Sequence, residues 1–230
     1  VALVGQGPDE LFGGYTRHLG VQYGAQWRRM PAWLQRALGA GVERLPRNEA
    51  LKRGVHALAV DDRLERHRDV FSLMPGDEVD ALFRGGVLPA GAGDRVLDFW
   101  SELAPEMEGA DELGAFQVLE LRSSLPDELM LYADKISMAH GLEVRVPYLD
   151  KEVVEFAARL PAKFKVRWGQ RKWLHRRVCE RFLSKEILGR KKRGFAVNVV
   201  DDWCSGSLDS KLSAYLLDGS SRMFEFLEPR

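Results

Sequence analysis

The chain has 230 residues, enough for one large domain or two small ones around a hydrophobic core. With 34 basic and 34 acidic residues its formal net charge is zero, which argues against a general attraction to nucleic acid or to a membrane. The two cysteines and five histidines lack metal-ligand spacing, and no apolar run approaches the roughly 20 residues that span a bilayer. We therefore expect a protein of the reducing cytoplasm.

The first predicted element is a short buried strand at Val1–Val4, followed at once by Gly5-Gln6-Gly7. Pro8 then opens a helix with Asp9 and Glu10 in its first turn, where acids complement the positive helix end. A strand that leads into a helix through a glycine turn often presents backbone N–H groups and a carboxylate at a sheet edge. By itself the Gly-X-Gly pattern fits a bare turn and a ligand site equally well.

Asp9 has a more specific interpretation, because a carboxylate beside backbone N–H donors suits Mg²⁺ with a bound pyrophosphate. Local sequence alone favours the simpler interpretation, in which the acid only complements the helix end. The chain opens on this strand without an initiator Met, so we expect a piece of a longer protein, cut just before a central strand.

Helical patterns dominate the rest of the chain, with neither an internal repeat nor a low-complexity tract. The charged segment Asp61–Arg68 reads as a solvated helix face. Asp111 is predicted to cap a helix, Pro126 to open one that Gly141 ends, and Asp150 to cap the next. Since we find no second strand, we expect the chain not to form a sheet of its own.

Leu142–Val146 reads as a short, buried, extended segment, and its two charged residues, Glu143 and Arg145, are predicted to form internal, structural ion pairs. On the helix before it, Asp127 and Asp134 lie on roughly one stripe. Structural salt bridges are the favoured use of that stripe, and orientation of a substrate is the alternative.

Two basic segments could contact phosphate. Arg190–Arg193 places four cations between glycines, which suits phosphate charge that develops during adenylation, although a solvated basic patch has the same pattern. Lys172 and Arg176 share a helix face, where a phosphate contact and an ordinary polar surface are equally well supported.

Four motifs in this order resemble the synthetase domain of class B asparagine synthetases. They cover most of the chain, and the match is weakest from about residue 25 to residue 114. The motifs are Val4–Tyr15 (Val-Gly-Gln-Gly-Pro-Asp-Glu-Leu-Phe-Gly-Gly-Tyr), Leu125–Leu129 (Leu-Pro-Asp-Glu-Leu), Ser137–Asp150 (Ser-Met-Ala-His-Gly-Leu-Glu-Val-Arg-Val-Pro-Tyr-Leu-Asp) and Arg190–Phe195 (Arg-Lys-Lys-Arg-Gly-Phe).

The resemblance implies an ATP-dependent, glutamine-dependent amide-forming ligase with Mg²⁺. In that family ATP converts a carboxylate into an acyl-adenylate with release of pyrophosphate, and ammonia from a glutaminase domain then expels AMP. The implied fold is the C-terminal portion of an α/β PP-loop ATPase domain, mostly α in this chain, with one N-terminal strand from a parallel sheet. The implied partners are a carboxylate acceptor and glutamine-derived ammonia, without nucleic acid or membrane, and a homodimer is compatible with it.

Family roles carry over by position to six residues. Asp9 matches the Mg²⁺ ligand of the second ATP-pyrophosphate loop, with Gly5 and Gly7 as its backbone. Lys192 matches the lysine that steadies the adenylation transition state, and Lys172 is a candidate phosphate contact. Gln6 stands at a catalytic position: the family loop is Ser-Gly-Glu-Gly-X-Asp-Glu, and here a neutral amide replaces its glutamate.

The resemblance also predicts an organisation. Residues 1–24 form the second ATP-pyrophosphate loop and its helix, residues 25–114 a variable helical region, and residues 115–230 a helical region with the basic catalytic loop. The Ser-Gly-Gly-X-Asp-Ser loop and the glutaminase cysteine would lie upstream, so we expect residues 1–230 alone to be inactive.

Two alternatives remain. Gln6 leaves open the same adenylation chemistry on another acceptor, of β-lactam or macrolactam type or a sugar or peptide carboxylate. It also leaves open a non-catalytic helical scaffold.

Overall fold

The computed structural model describes residues 1–44, 49–72, 76–89, 95–190 and 218–228. This part of the chain is mostly helical and contains no helix long and apolar enough to cross a membrane. Its strands are β1 (Ala2–Leu3) and β2 (Val144–Arg145). Its α-helices are α1 (Pro8–Phe12), α2 (Thr16–Arg28), α3 (Ala32–Glu43), α4 (Glu49–Leu58), α5 (Arg63–Phe71), α6 (Gly76–Asp80), α7 (Arg95–Glu102), α8 (Glu112–Arg122), α9 (Leu131–Ala139), α10 (Lys151–Arg159), α11 (Ala162–Lys165), α12 (Trp173–Cys179) and α13 (Lys185–Gly189).

The two strands form a parallel pair in which Ala2 lies opposite Val144. Ala2 N–H donates to Glu143 O at 2.8 Å, and Val4 N–H donates to Arg145 O at 3.0 Å. The mostly helical character is confirmed, but the expectation that β1 would have no partner in this chain is wrong. Two-residue strands are too short for a periodic pattern to reveal them, and parallel pairing joins segments that are distant in sequence.

Helix α8 lies at the centre of the packing. Asp111 caps it as predicted, with Oδ1 accepting from Gly114 N–H at 2.8 Å. The helix is buried on several sides, which is typical of a core helix. It contributes residues to three apolar clusters: Ala115 and Leu119 pack with Trp100, Leu103 and Met107; Leu121 packs with Leu11, Phe12 and Ala157; and Leu113 packs with Ala162 and Val166.

The helix signals around β2 are confirmed. Gly141 follows α9 with a φ of 64°, a left-handed conformation that glycine adopts without a steric cost. Asp150 caps α10 by accepting from Glu152 N–H at 2.9 Å. The predicted helix from Pro126 begins with a π-helical turn, Leu125–Met130, before α9. Glu143 and Arg145 pair with each other at 2.9 Å, but on the surface and not in the interior as predicted.

The solvated face predicted for Asp61–Arg68 is solvated only in part: Asp61, Asp62 and Glu65 are exposed, but Arg66 and His67 are buried. Arg66 Nη1 donates to the carbonyl oxygens of Val60 at 2.7 Å and Asp61 at 2.8 Å, next to the C-terminus of α4. Its Nη2 lies 3.2 Å from Glu112 Oε2 on α8. Arg66 on α5 therefore donates to carbonyl groups that follow α4. A charge pattern in the sequence does not reveal such a contact.

The carboxylate of Glu112 is the anion that faces Arg66 and His67. His67 Nε2, at 3.6 Å, and the Arg66 guanidinium hold the pKa of Glu112 down, from 4.5 to about 2. Burial lowers the pKa of His67 itself. A carboxyl with a lowered folded-state pKa contributes stability above its unfolded pKa, and this contribution is lost as the pH falls towards the folded value.

We expect Glu112→Gln to lower the free energy of unfolding at neutral pH by about 1 to 3 kcal/mol. The variant should also lose part of the decline in stability between pH 4.5 and about pH 2. Denaturant unfolding at several pH values measures both effects. Glu108→Gln, at an exposed position before α8, is the control and should keep the wild-type pH dependence. If the free energy of unfolding of both variants declined equally steeply with falling pH, the low pKa of Glu112 would be contradicted.

Candidate active site

The loops that follow the two strands meet at one edge of the sheet. β1 and β2 are parallel, so their carboxyl ends point the same way, and α/β proteins bind ligands beyond such ends. Gly7 follows β1 with a φ of 99°, and a Cβ there would collide with the side chain of Leu149, which follows β2. Gly7 is therefore needed for the turn and for the packing of the two loops.

Asp9 and Lys172 form an ion pair near this edge. Lys172 Nζ lies 3.1 Å from Asp9 Oδ2, with 23% and 24% of the lysine and aspartate side chains exposed. A partly shielded pair interacts more strongly than one in bulk water, because the effective dielectric constant is lower. The fold thus brings together two of the residues to which the sequence assigned phosphate and Mg²⁺ contacts.

Gly14 provides the space for this ion pair. A Cβ at Gly14 would overlap the carboxylate of Asp9 and Cε of Lys172. The neighbouring Arg171 donates from Nη1 to Gly14 O at 3.2 Å and to Thr16 Oγ1 at 3.0 Å. The turn between α1 and α2 is therefore fixed to the segment that precedes α12.

Lys172 has a backbone conformation that lysine rarely adopts. Its φ is 53° and its ψ 39°, in the left-handed region, at the position before the first residue of α12. Such a conformation costs a residue with a Cβ about 1 kcal/mol or more, and strain of this kind is concentrated at functional sites. The strained conformation places the Lys172 side chain against Asp9.

Tyr148 and His175 connect α12 with the loop after β2. The Tyr148 hydroxyl and His175 Nε2 share a hydrogen bond of 2.9 Å, and the imidazole lies 5.6 Å from the Phe12 ring. Burial, and then the charge of Lys172, lower the pKa of His175. A neutral imidazole near Lys172 avoids repulsion with its ammonium group, so the contact supports the ion pair instead of competing with it.

Glu10, the residue after Asp9, holds α1 in place. Its buried carboxylate accepts from the Tyr15 hydroxyl at 2.5 Å. Burial raises the pKa of Tyr15, and the negative charge of Glu10 raises it further, so the phenol keeps its proton and donates. The hydrogen bond fixes the turn that contains Gly13 and Gly14.

A second buried carboxylate, Glu120 on α8, holds α2. Arg17 Nε donates to its Oε1 at 2.7 Å, and His18 Nε2 lies 2.7 Å from its Oε2. Tyr15 N–H donates to His18 Nδ1 at 3.3 Å, which leaves Nε2 as the nitrogen that donates to Glu120. Both helices next to the glycine turn are thus positioned by buried polar contacts.

Gln6 lies between the two glycines of the turn. Its Oε1 atom is buried and accepts no hydrogen bond from the described residues. A buried acceptor without a donor is unfavourable by roughly 1 to 3 kcal/mol, so the position suits a donor supplied by a ligand. Gly5 is open, since a Cβ there would have no described atom within 4 Å.

The other predicted residues divide into two groups. Lys192 and the rest of the basic run from residue 191 lie outside the described residues. Asp127 and Asp134 are exposed, and neither forms a salt bridge with another described residue. In the part of the chain that the structure covers, no three Asp, Glu, His or Cys side chains lie together as in a metal centre built from protein side chains alone.

Sequence reasoning missed three residues of the site. These are Gly14, Tyr148 and Arg171. Their roles depend on contacts between segments distant in sequence, which spacing does not encode. The glycine pair was the one available signal.

Comparison with known proteins gives a consistent result. A family model described as asparagine synthase matches residues 1–230. A protein of Mycobacterium tuberculosis is 31% identical over 229 residues, which cover 95% of this chain and 34% of that protein. Asparagine synthetase 1 (glutamine-hydrolyzing) of Bacillus subtilis is 27% identical over 228 residues, covering 94% of this chain and 35% of the relative.

Asparagine synthetase (glutamine-hydrolyzing) of Gallus gallus is 31% identical over 147 residues, covering 54% of this chain and 26% of the relative. The chain thus spans about a third of the length of the first two relatives. No solved structure matches it.

We expect Gly14→Ala to lower the free energy of unfolding by about 1 to 3 kcal/mol, because its methyl group needs the space of the Asp9 and Lys172 side chains. Gly20→Ala is the control: it has open space on α2 and should be neutral or stabilising by up to about 1 kcal/mol. Denaturant unfolding measures both. Equal stability changes in the two variants would show that Gly14 has no special steric role.

Proposed function

Since this chain belongs to the asparagine synthase family, we propose that it supplies part of the adenylation site of an ATP-dependent, amide-forming carbon–nitrogen ligase. The reaction proposed for the whole protein is glutamine-dependent asparagine synthesis or a close relative of it. The observation that carries the proposal is the ion pair of Asp9 and Lys172 beyond the carboxyl ends of β1 and β2. This is where α/β proteins bind nucleotides.

The first proposed step is activation of a substrate carboxylate. A carboxylate oxygen attacks the α-phosphorus of ATP, an acyl-adenylate forms, and pyrophosphate leaves with the electrons of the broken P–O bond. Negative charge on the departing phosphates needs a fixed cation. Lys172 can provide it, because its ammonium group is held in place by Asp9 and its backbone by the bonds of Arg171.

Asp9 is the residue that would hold Mg²⁺. Mg²⁺ is usually bound through one or two carboxylates together with phosphate oxygens. A single partly exposed carboxylate next to the proposed phosphate position fits this donor set, provided that ATP supplies the other oxygens. When bound, the ion would neutralise charge on the leaving pyrophosphate.

Lys192 is proposed as the second fixed cation, near the α-phosphate, by its match to the family motif. Its assignment rests on the sequence Arg-Lys-Lys-Arg-Gly-Phe from residue 190. A phosphorus transition state with added negative charge is stabilised best by cations on more than one side. Gly5 and Gly7 are proposed to let the backbone approach the phosphates closely.

The second proposed step is formation of the amide. Ammonia released from glutamine attacks the acyl carbon, the bond to AMP breaks, AMP leaves with that electron pair, and the attacking nitrogen loses one proton to water. Gln6 is proposed to accept a hydrogen bond from the substrate, and the lack of a donor to its Oε1 among the described residues supports this. The proposal includes the domain organisation predicted from the sequence, in which the glutaminase and the Ser-Gly-Gly-X-Asp-Ser loop lie upstream of these residues.

A second candidate keeps the adenylation and changes the acceptor. The observation in its favour is Gln6, because a neutral amide cannot act as a base in the way a glutamate at this position can. An acceptor with its own amine, as in β-lactam or macrolactam formation, then becomes the alternative to aspartate.

The acceptor is tested by assaying the complete gene product with ATP, Mg²⁺, glutamine and aspartate. We expect asparagine, AMP and pyrophosphate in equal amounts. Pyrophosphate exchange with another carboxylate, but not with aspartate, would overturn asparagine synthesis and favour the second candidate. Gln6→Glu should increase turnover with aspartate if the amide is the limiting group, since a carboxylate can accept a proton.

We expect Lys172→Met in the complete gene product to lower kcat for ATP–pyrophosphate exchange about a hundredfold. An effect of this size is typical when one fixed group that stabilises a transition state is removed. Lys192→Ala should have an effect of similar size. Lys151→Met, at an exposed position on α10, is the control and should retain wild-type exchange. Wild-type exchange in Lys172→Met at unchanged stability would exclude a direct phosphate contact.

A further inference from the structure

A cavity of 440 Å³ borders helix α1. Leu11 lines it, and Leu11 is about 200° around the helix from Asp9, so the cavity and the ion pair are on opposite sides of α1. Its volume is in the range of small-molecule sites. Its walls include Leu11, Gln117, Val118, Leu121, Ala157 and Lys165.

The polar end of the cavity is a buried ammonium group. Lys165 is 3% exposed, and its single hydrogen-bond acceptor among the described residues is Gln117 Oε1, at 2.6 Å. An ammonium group carries three N–H donors, so this contact leaves two of them without a described acceptor. Burial lowers the pKa of Lys165 to about 8, and the charge of Asp111 opposes this shift only in part.

Neighbouring groups leave this charge poorly compensated. The Oδ1 atom of Asp111 accepts from Gly114 N–H at 2.8 Å and its Oδ2 atom from Ala162 N–H at 3.2 Å. Gln117 is committed on both sides, since its Nε2 donates to Glu10 O while its Oε1 accepts from Lys165. A charge in such surroundings is costly unless an anion pairs with it.

The remaining walls and the mouth restrict the class of anion. Apolar side chains line the cavity beside Lys165, which suits an apolar body and disfavours a fully hydrated phosphate. Glu106 and Glu108 lie at the rim with Arg159, so multiply charged anions would meet repulsion.

We propose that this cavity binds a small monocarboxylate with an apolar body, whose carboxylate pairs with Lys165 and whose body packs on Leu11 and Leu121. The site is separate from the adenylation site, and it does not depend on the proposed reaction.

The test uses hexanoate as the probe and hexanol as its neutral counterpart, with the Lys165 side-chain signal followed by NMR in the complete gene product. Hexanoate should bind saturably in the millimolar range, shift this signal and raise the pKa of Lys165, because an anion favours the charged form. Hexanol should bind at least about tenfold more weakly, since it lacks the charge-assisted hydrogen bond.

Lys165→Met keeps the length of the side chain and should weaken hexanoate binding about tenfold, as expected for one charge-assisted hydrogen bond. Lys163→Met, at an exposed position on the same helix, is the control and should bind as the wild type does. Should Lys165→Met fail to fold, the comparison of hexanoate with hexanol on the wild type still decides. Equal binding of the two probes, or no saturable shift of the Lys165 signal, would overturn the proposal.

Discussion

The position of the candidate site depends on two buried polar side chains of α8. Gln117 donates to the Glu10 carbonyl of α1, and Glu120 binds Arg17 and His18 of α2. The turn that contains Gly14, which leaves space for the ion pair of Asp9 and Lys172, lies between these two helices. Removing one partner of a buried hydrogen bond typically costs about 1 to 3 kcal/mol. Helix α8 is therefore more than an apolar core element: its polar residues set where Asp9 can be.

The site itself combines rigid and open parts. Asp9, Lys172 and the Tyr148–His175 hydrogen bond are held by several independent contacts, so little conformational freedom remains to be lost when a ligand binds. Gly5 and the Gln6 amide oxygen are less constrained. A Cβ at Gly5 would have no described atom within 4 Å, and Gln6 Oε1 accepts no hydrogen bond from the described residues. Charged groups that are already held in place need not reorganise when a reaction develops charge.

Local signals were sufficient for several element ends, whereas the roles of Asp9 and Lys172 stay predictions. The caps at Asp111 and Asp150 and the turn at Gly141 were readable from short stretches. Contacts between distant segments were not. The pairing of β1 with β2 and the burial of Arg66 and His67 depend on partners far away in sequence, and a charge pattern cannot distinguish solvent from a buried carboxylate. The proximity of Asp9 to Lys172 is likewise a property of the fold, while the role of Lys192 stays a prediction from its motif.

The backbone of Lys172 has a consequence for the evolution of this protein. Glycine, or to a lesser degree asparagine, would relieve the left-handed conformation at position 172, so a population selected for thermal stability alone would drift towards these residues. That drift would remove the ammonium group that pairs with Asp9. Lysine at this position therefore marks a place where stability and chemistry favour different amino acids, and its retention in any lineage would indicate that the chemistry is under selection.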